Sequence, residues 1–266
     1  MNFSLPPQNA LEKLKVAATY LSLQKSLKGA AWGSIVWGVL ALAAGYFVEP
    51  RALLDYVWLG IGLFLLFEGL WILRSSAVAN PKALLVQSGA LLILGLWDTV
   101  GIYFEAKSGR PIIFGGQIVL AGILQLISAY STYRSFPGYN RLYPYIEPAY
   151  VGELELATEG AWKARVTPGS DLIEFKAQGK KFKAKFMPDF MVALTDKGKS
   201  FLVAGRPDIT LEEVGQKMLS SRLKVNIILE NDKFNADMSP EYYQQWKAWL
   251  LGKTMVPANL ESVSPF

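Results

Sequence analysis

Four long apolar runs occupy the first half of the chain, between Ala30 and Tyr133. A helix rises 1.5 Å per residue and needs about 20 mostly apolar residues to cross a bilayer. A core helix of a water-soluble protein would carry a polar stripe every three or four residues, and none of the runs has one. The pattern therefore predicts four transmembrane helices within residues 30–134. The runs are Ala30–Val48, Leu53–Leu73, Ala83–Phe104 and Ile112–Tyr133.

Glycine recurs inside all four runs, and small residues let helix backbones approach closely in lipid. A tight bundle is one explanation of this glycine content, and ordinary membrane composition is the other. The connections between the runs are short, which makes neighbouring helices antiparallel. Runs two and four share a Gly-x6-Gly spacing, at Gly62/Gly69 and Gly115/Gly122, which indicates two duplicated hairpins. The glycines of runs one and three do not repeat that spacing.

Positive charges near the ends of the runs predict the orientation, because Lys and Arg are enriched on the cytoplasmic side. Four lysines precede the first run, whereas the first loop holds only Arg51. The third loop, with Lys107 and Arg110, opposes this trend. An even number of spans returns the C-terminus to the side of the N-terminus. We therefore expect an integral protein of a bacterial-type inner (plasma) membrane, with both termini in the cytoplasm.

Residues 1–29 predict an amphipathic helix and no cleavable signal peptide, because the segment is not continuously apolar. Asn9 can cap this helix, with Glu12 three residues later as in a capping box. One face is apolar, and the lysines lie elsewhere on the helix. We expect this helix to lie in the cytoplasmic interface of the membrane, and the alternative is a helix packed on the soluble domain. The apolar positions are Leu11, Leu14, Ala18 and Leu21.

A connector rich in Pro and Tyr is predicted over residues 135–149, where aromatic side chains suit the headgroup level. From residue 150 the pattern changes to period two, which is typical of strands. Turn signals rich in Gly, Pro and Asp separate seven predicted strands. These strands are Tyr150–Ala157, Ala161–Thr167, Leu172–Ala177, Lys181–Met187, Phe190–Leu194, Ser200–Ala204 and Lys224–Glu230.

Two short helices are predicted among and after these strands. Thr210 and Glu213 form a capping box at the start of the first helix. Ser239 and Pro240 suit the N-cap and N1 positions of the second, which runs to about Leu251. The aromatic side of this second helix consists of Tyr242, Trp246 and Trp249.

Seven short antiparallel strands closed by a C-terminal helix resemble a pleckstrin-homology-like barrel. The resemblance is architectural and covers residues 150–266. The predicted fold is therefore a membrane α-helical bundle of four transmembrane helices, followed by a mainly-β (α+β) cytoplasmic domain. Because one fold supports many functions, the resemblance alone does not define an activity.

Composition narrows the chemistry that the chain can perform. It contains no His and no Cys, so the commonest catalytic base, thiol nucleophiles and soft metal ligands are missing. No glycine-rich phosphate loop and no Gly-x-Ser-x-Gly motif occurs. We expect a non-catalytic protein without a cofactor or metal, with bound lipids. Residues 135–266 hold 17 Lys+Arg and 16 Asp+Glu, so a nucleic-acid partner is not expected.

Glu68 and Asp98 lie inside predicted spans, where an ionisable side chain is costly and suggests a function. They differ in depth by roughly 10 Å within a 30 Å hydrocarbon core, so they are not expected to pair with one another. One hypothesis is a proton or cation relay through Asp98, Gln117 and Glu68. The alternative is two polar side chains that fix the helix register. The amides that could contact these carboxylates are Gln87, Gln117 and Gln125.

A lysine-rich hairpin is predicted around the turn Gln178–Gly179. Alternation places Lys181, Lys183 and Lys185 on one strand face. Beside an anionic leaflet each lysine contributes about 1 kcal/mol, and the pleckstrin-like resemblance implies headgroup contact by such a hairpin. The alternative is a solvated edge whose lysines discourage strand pairing. The candidate headgroup residues are Lys176, Lys180, Lys181, Lys183 and Lys185.

Three functions follow from these patterns. The first is an accessory or structural subunit of a membrane assembly, or a homo-oligomer, with a cytoplasmic domain that docks a partner. The second is a small transporter or channel-like protein that uses Asp98 and Glu68. The third is a module that responds to lipid headgroups. Tryptophan is enriched at membrane interfaces and protein contacts, and the runs contain Trp32, Trp37, Trp58, Trp71 and Trp97.

Overall fold

A computed structural model gives the architecture of the chain. The structure describes residues 7, 9–47, 53–74, 80–101, 103, 107, 115–161, 163–166, 170–195, 200–216, 222–229 and 232–252. The predicted loops over residues 49–52 and 108–111, the start of run four, and the turns at 167–169 and 196–199 lie outside this set.

The chain folds into two compact units. The helical unit comprises Leu23–Pro144 together with the first five residues. The sheet unit comprises Pro6–Ser22 and Tyr145–Phe266. The boundary between the units therefore falls inside the first helix and not at the start of the first apolar run.

Four long helices contain the predicted runs. Helix α1 starts well before its run, because the amphipathic segment and the apolar run form one continuous helix. The described residues contain two helices long and apolar enough to cross a membrane, at Ala10–Ala43 and Pro81–Gly101, and a shorter apolar helix over Leu59–Leu73. A buried core helix can share that length and composition, so a spanning role is a proposal. The helices are α1 (Ala10–Phe47), α2 (Leu53–Leu73), α3 (Pro81–Leu96), which continues as a π-helical turn (Trp97–Gly101), and α4 (Gly115–Leu142).

The predicted connector over residues 135–149 is mostly helical, which corrects the sequence prediction. Helix α4 continues through Pro137 to Leu142, although proline removes one helical hydrogen bond. A 3-10 turn over Tyr143–Tyr145 and helix α5 (Pro148–Thr158) follow. Pro148 occupies the first turn of α5, where its missing N–H is tolerated.

Helices α1 and α2 form an antiparallel hairpin that packs through small residues. A Cβ atom added to Gly38 would lie 2.9 Å from the carbonyl oxygen of Gly62. A Cβ atom added to Gly69 would lie 2.7 Å from the carbonyl oxygen of Ala31. Both contacts bring backbone against backbone, so only small residues fit at these crossing points.

Helices α3 and α4 form a second hairpin with the same construction. A Cβ atom added to Gly95 would lie 2.9 Å from the carbonyl oxygen of Gly122. The Ser88 hydroxyl donates a 2.9 Å hydrogen bond to the carbonyl oxygen of Ala129. Ser88 and Gly95 are seven residues apart, as are Gly122 and Ala129, so each helix again contributes two small residues two turns apart.

The two hairpins are related by a sequence repeat. An offset of 57 residues converts the contact positions of α1 into those of α3, and an offset of 60 converts those of α2 into those of α4. The dipeptide Arg74-Ser75 recurs at the second offset as Arg134-Ser135. The suspected duplication is therefore present, and it is visible once Ala and Ser are counted with Gly. The equivalent pairs are Ala31 with Ser88, Gly38 with Gly95, Gly62 with Gly122, and Gly69 with Ala129.

The sheet unit contains one seven-stranded antiparallel sheet in the order β4-β3-β2-β1-β7-β6-β5. Helix α6 (Pro240–Leu250) follows the last strand and is capped by Ser239, whose side chain accepts from the backbone N–H of Tyr242. The strands are β1 (Leu172–Ala177), β2 (Lys180–Phe186), β3 (Phe190–Thr195), β4 (Ser200–Gly205), β5 (Ile209–Gln216), β6 (Leu223–Leu229) and β7 (Asp232–Met238).

One face of the sheet forms the main core with α6. Trp246 is fully buried and its ring lies 5.2 Å from that of Phe175 and 5.7 Å from that of Phe186. Trp249 packs on Phe186 at 4.8 Å and donates a 2.7 Å hydrogen bond to the carbonyl oxygen of Met187. The predicted aromatic side of α6 is thus buried, with Tyr243 in place of Tyr242 as its fully buried tyrosine.

The opposite face of the sheet is covered by the first part of α1 and by α5. Leu14 and Leu21 of α1 are 4% and 0% exposed, and they cluster with Leu154, Val192 and Leu194. The apolar face that was predicted to enter the membrane interface is therefore covered by protein. This is the arrangement of the alternative prediction, a helix packed on the soluble domain, because the sheet offers an apolar surface of its own.

Three predicted elements in the sheet unit are wrong. The segment predicted as strand Tyr150–Ala157 is helix α5. No strand forms over the described residues of Ala161–Thr167. Thr210, predicted to cap a helix, lies in strand β5, where the ladder with β6 overrides the capping signal. Strand β7 was not predicted, because Asp232–Met238 carries charged and amide side chains on its exposed face.

Candidate functional site

The largest exposed feature of the chain is an apolar belt on the helical unit. Phe67 is 70% exposed, Trp37 is 61% exposed and Ile127 is 59% exposed. Only 28% of each of the two spanning-length windows is buried within the chain. Large apolar surfaces of this kind mark contact with lipid or with another protein. The belt comprises Trp32, Val36, Trp37, Val39, Leu40, Tyr56, Leu63, Phe64, Phe67, Leu70, Trp71, Leu85, Leu92, Ile93, Leu96, Val100, Tyr103, Leu120, Ile123, Leu124, Ile127, Tyr130 and Tyr133.

A polar cavity of about 410 Å³ lies inside the helical unit, between α1, α3 and α4. Gln87 of α3 is 5% exposed, and Gln125 of α4 is half-buried. The side-chain oxygen of each amide has no hydrogen-bond partner among the described residues. Ser34 of α1 also lines the cavity. The structure thus brings together two of the three amides predicted from the sequence, with a serine that the sequence did not single out.

Glu68 of α2 is 4% exposed and lies against this group of polar residues. The Ser34 hydroxyl lies beside the Glu68 carboxylate, yet neither carboxylate oxygen has a hydrogen-bond partner in the described part of the chain. On its other side Glu68 borders an open cleft lined by Phe67, Trp71 and Arg74. A buried carboxylate without a partner is expensive, so Glu68 is the most unusual ionisable residue in the helical unit.

Asp98 lies elsewhere in the helical unit, in the π-helical turn Trp97–Gly101. Such turns inside α-helices are often found at functional sites. Asp98 is half-buried and packs near Gly122, because a Cβ atom added to Gly122 would lie 2.9 Å from the Asp98 Cβ. Asp98 does not line the cavity that holds Gln87 and Gln125. The side chain of Gln117 lies outside the described residues, so the relay through Asp98, Gln117 and Glu68 stays a prediction.

The lysine hairpin forms as predicted. Gln178 and Gly179 both have positive φ, at 49° and 76°, as a two-residue hairpin turn requires. Phe182 and Phe186 of β2 face the core, so the lysines between them face outward. Asn or Gly usually occupies the position of Gln178, because a positive φ is unfavourable for a longer side chain.

Acidic and backbone groups already contact three of the hairpin lysines. Lys181 lies 3.7 Å from Glu174, and Lys185 lies 3.6 Å from Asp171. Lys183 donates a 2.7 Å hydrogen bond to the carbonyl oxygen of Ala164. The exposed lysines concentrate at the tip of the hairpin, at positions 176, 180 and 181. The hairpin is therefore less basic as a surface than its sequence suggests.

Sequence reasoning missed Ser34 and the repeat that positions the cavity. A serine within an apolar run has no periodic signal, and its role emerges only from its neighbours across the bundle. The repeat was partly visible as a Gly-x6-Gly spacing. A search for any small residue at that spacing would have found the equivalent positions in α1 and α3.

Comparison with known proteins adds little to this geometry. No protein-family model matches the chain, and no curated protein matches it. The chain is similar to a solved structure of Vav1 inhibited by an allosteric inhibitor that blocks its GEF activity, with 9% identity and a TM-score of 0.24. The alignment covers 93% of this chain and 57% of that chain, so this chain spans little more than half its length. A TM-score this low carries no argument about fold or function.

Proposed function

We propose that this chain is a non-catalytic integral membrane protein whose helical unit crosses the bilayer. The apolar belt is the observation that carries the proposal. The helix of a water-soluble core is mostly buried, whereas only 28% of each spanning-length window is buried within this chain. Side chains such as Phe67 and Ile127 therefore need lipid or apolar protein as their surroundings.

The composition of the sheet unit supports an even number of crossings. Leu14 and Leu21 of α1 share a core with Val192 of the sheet, so these two parts of the chain lie on the same side of any membrane. The intervening residues, Leu23–Pro144, must then leave that side and return to it. Two or four crossings satisfy this condition, and four is the number of apolar runs. Cytoplasmic N- and C-termini, predicted from the lysines, agree with this arrangement.

Within the membrane the role that we favour is that of an accessory or structural subunit. Trp32, Trp37 and Trp71 are exposed in the belt, and tryptophan is enriched at protein contacts and membrane interfaces. We assign the sheet unit the role of docking a cytoplasmic partner. Its seven-stranded antiparallel sheet and C-terminal helix fit the pleckstrin-homology-like barrel that the sequence resembles, which we propose as its finer fold.

Each alternative function retains one supporting observation. Transport or channel activity is favoured by the buried, unpartnered carboxylate of Glu68. Lipid-headgroup binding is favoured by Lys176 and Lys181, which are exposed at the tip of the hairpin. The pairing of Lys181 with Glu174 weakens that second case.

The test is the size of the full chain after extraction from membranes in mild detergent. We expect the chain to stay in the membrane pellet after alkaline carbonate washing and then to migrate as a complex larger than one chain. The same sample in strong detergent provides the monomer reference. Release by carbonate would contradict the membrane assignment, and a lone monomer in mild detergent would contradict the subunit role.

A further inference from the structure

The polar cavity lies at the interface between the two repeats. The offset of 57 residues that relates α1 to α3 pairs most of its lining residues on those helices. The cavity therefore follows the pseudo-twofold axis between α1 and α3. In membrane proteins built from repeats, binding sites lie at the repeat interface. The equivalent lining pairs are Leu27 with Leu84, Ala30 with Gln87, Ser34 with Leu91, and Trp37 with Leu94.

The amides in this cavity break the repeat. Gln87 stands where the first hairpin has Ala30, and Gln125 stands where it has Leu65. Apolar side chains fill both positions in the first hairpin, so helix packing alone does not require an amide at either one. The side-chain oxygen of Gln87 is buried and has no hydrogen-bond partner in the described part of the chain. A buried acceptor left unpaired is costly, so this position calls for a donor.

A negative charge lies next to the amides. Ser34 lines the cavity, and its hydroxyl lies beside the carboxylate of Glu68. Both Glu68 oxygens lack a hydrogen-bond partner among the described residues, and Arg74, which shares the neighbouring cleft, does not pair with them. The second hairpin has Ser128 at the position equivalent to Glu68, so the carboxylate also breaks the repeat. No Lys or Arg lines the cavity.

We propose that this cavity binds a small protonated amine. The unpartnered groups are all acceptors, and an ammonium group supplies up to three donors and a compensating charge. The amide oxygens of Gln87 and Gln125 accept from the ammonium, and Glu68 provides the counter-charge through Ser34. Trp37 adds an aromatic wall, which attracts cations. A volume of about 410 Å³ accommodates the apolar body of such a ligand.

Equilibrium dialysis of the full chain in mild detergent tests the proposal, with radiolabelled n-butylammonium as the probe. We expect saturable binding of one n-butylammonium per chain at neutral pH. Radiolabelled n-butanol has a similar apolar body without the charge, and we expect no saturable binding of it. Sodium chloride at the same concentration as the amine should not displace the amine.

Two matched variants locate the charge. Glu68→Gln keeps the shape of the side chain and removes its charge, and we expect at least about tenfold weaker amine binding. Asp98→Asn makes the same chemical change at a carboxylate that does not line the cavity, and we expect unchanged binding. Gel filtration checks that each variant is folded. If Glu68→Gln does not fold, Ser34→Ala and Gln87→Met provide the same test, with about threefold or greater weakening expected for each.

Several results would overturn the proposal. Equal binding of n-butanol and n-butylammonium would make the cavity an apolar site. Displacement by sodium at equal concentration would make it a site for inorganic cations. Equal losses in Glu68→Gln and Asp98→Asn would show a general effect of charge in the bundle, and unchanged binding in Glu68→Gln would remove the carboxylate from the site.

Discussion

The sheet unit and the helical unit bury their side chains in opposite ways. In the sheet unit large apolar side chains such as Trp246 and Ile173 are fully buried. In the helical unit Gly38 and Gly62 form the contacts between helices, while Phe67 and Ile127 point outward. The first arrangement is what the hydrophobic effect produces in water. The second is expected where the solvent is itself apolar, because close backbone packing then holds the helices together.

The largest difference between the two units should appear when tryptophan is truncated. Trp246→Ala removes a fully buried ring from the sheet core, and we expect a loss of about 3–5 kcal/mol of unfolding free energy. Trp32→Ala is the matched change on the belt, where the ring is 60% exposed, and it should alter stability by no more than about 0.5 kcal/mol. Urea titration of the full chain in detergent measures both variants. A belt variant as damaging as the core variant would break the contrast.

A charge placed on the belt should be the next largest effect. Ile127→Lys puts an ammonium group on a 59% exposed position of α4, and a lysine at the centre of a spanning helix costs about 2.5–3.5 kcal/mol. We therefore expect less of the chain in the carbonate-resistant membrane fraction. Leu156→Lys, at a 74% exposed position of the sheet unit, is the control and should insert as the parent does. Equal insertion of all three proteins would argue against lipid around α4.

Glycine substitutions sharpen the account of helix packing. A Cβ atom on Gly62 would lie 2.8 Å from the Leu42 side chain and 2.9 Å from the Gly38 carbonyl oxygen. Gly62→Ala should therefore destabilise the helical unit by about 1–3 kcal/mol through overpacking. A Cβ atom on Gly60 meets nothing within 4 Å, so Gly60→Ala should be neutral or stabilising, since Ala favours helix. Thermal unfolding of the two variants in detergent gives the comparison, and the same ranking would not be expected if α1 and α2 were apart.

The smallest effect concerns an ion pair at the surface of the sheet unit. Lys13 lies 2.7 Å from Glu147, and the hydrogen bond to that carboxylate raises the pKa of Lys13 above 10.5, with the charge of Glu147 adding to it. A lysine whose pKa is raised on folding contributes stability that is complete below the unfolded pKa and is lost as the pH rises through the folded value. The contribution should therefore be constant up to about pH 10.5 and decline above it.

Melting curves between pH 8 and pH 11.5, roughly spanning this titration, test the pair. Lys13→Gln should remove part of the loss of stability at high pH and change the neutral-pH melting temperature only slightly. Lys163→Gln, at an exposed lysine of the same unit, is the control and should keep the parent profile. An unchanged profile in Lys13→Gln would mean that the pair contributes nothing on folding.

Sequence patterns predicted the elements whose signal is long and unambiguous. The four apolar runs are helices, and Ser239 and Pro240 start the last helix as expected. Short segments were less predictable, because tertiary contacts override local signals. The alternating pattern around Leu154 suggested a strand, yet this segment is a helix that buries Leu154 and leaves Leu156 exposed.

The candidate site was predictable in its residues and not in its geometry. Glu68, Gln87 and Gln125 stand out because polar side chains are rare within apolar runs. Their grouping depends on which helix faces touch, and a single sequence with period-free apolar runs does not specify those faces. Ser34 joins the group only through its contact with Glu68. The amphipathic start of α1 shows the same difficulty, since its apolar face suits a membrane interface and the sheet equally well.

The most direct measurement is the accessibility of spin labels to oxygen and to a water-soluble nickel chelate. The chain has no cysteine, so single cysteines at Phe67, Ile127 and Leu156 give clean labelling sites in liposomes. All three positions are well exposed, at 70%, 59% and 74%. We predict that labels at 67 and 127 meet oxygen and exclude nickel, whereas the label at 156 meets nickel. Nickel reaching all three labels equally would show water around the apolar belt and would contradict the membrane account.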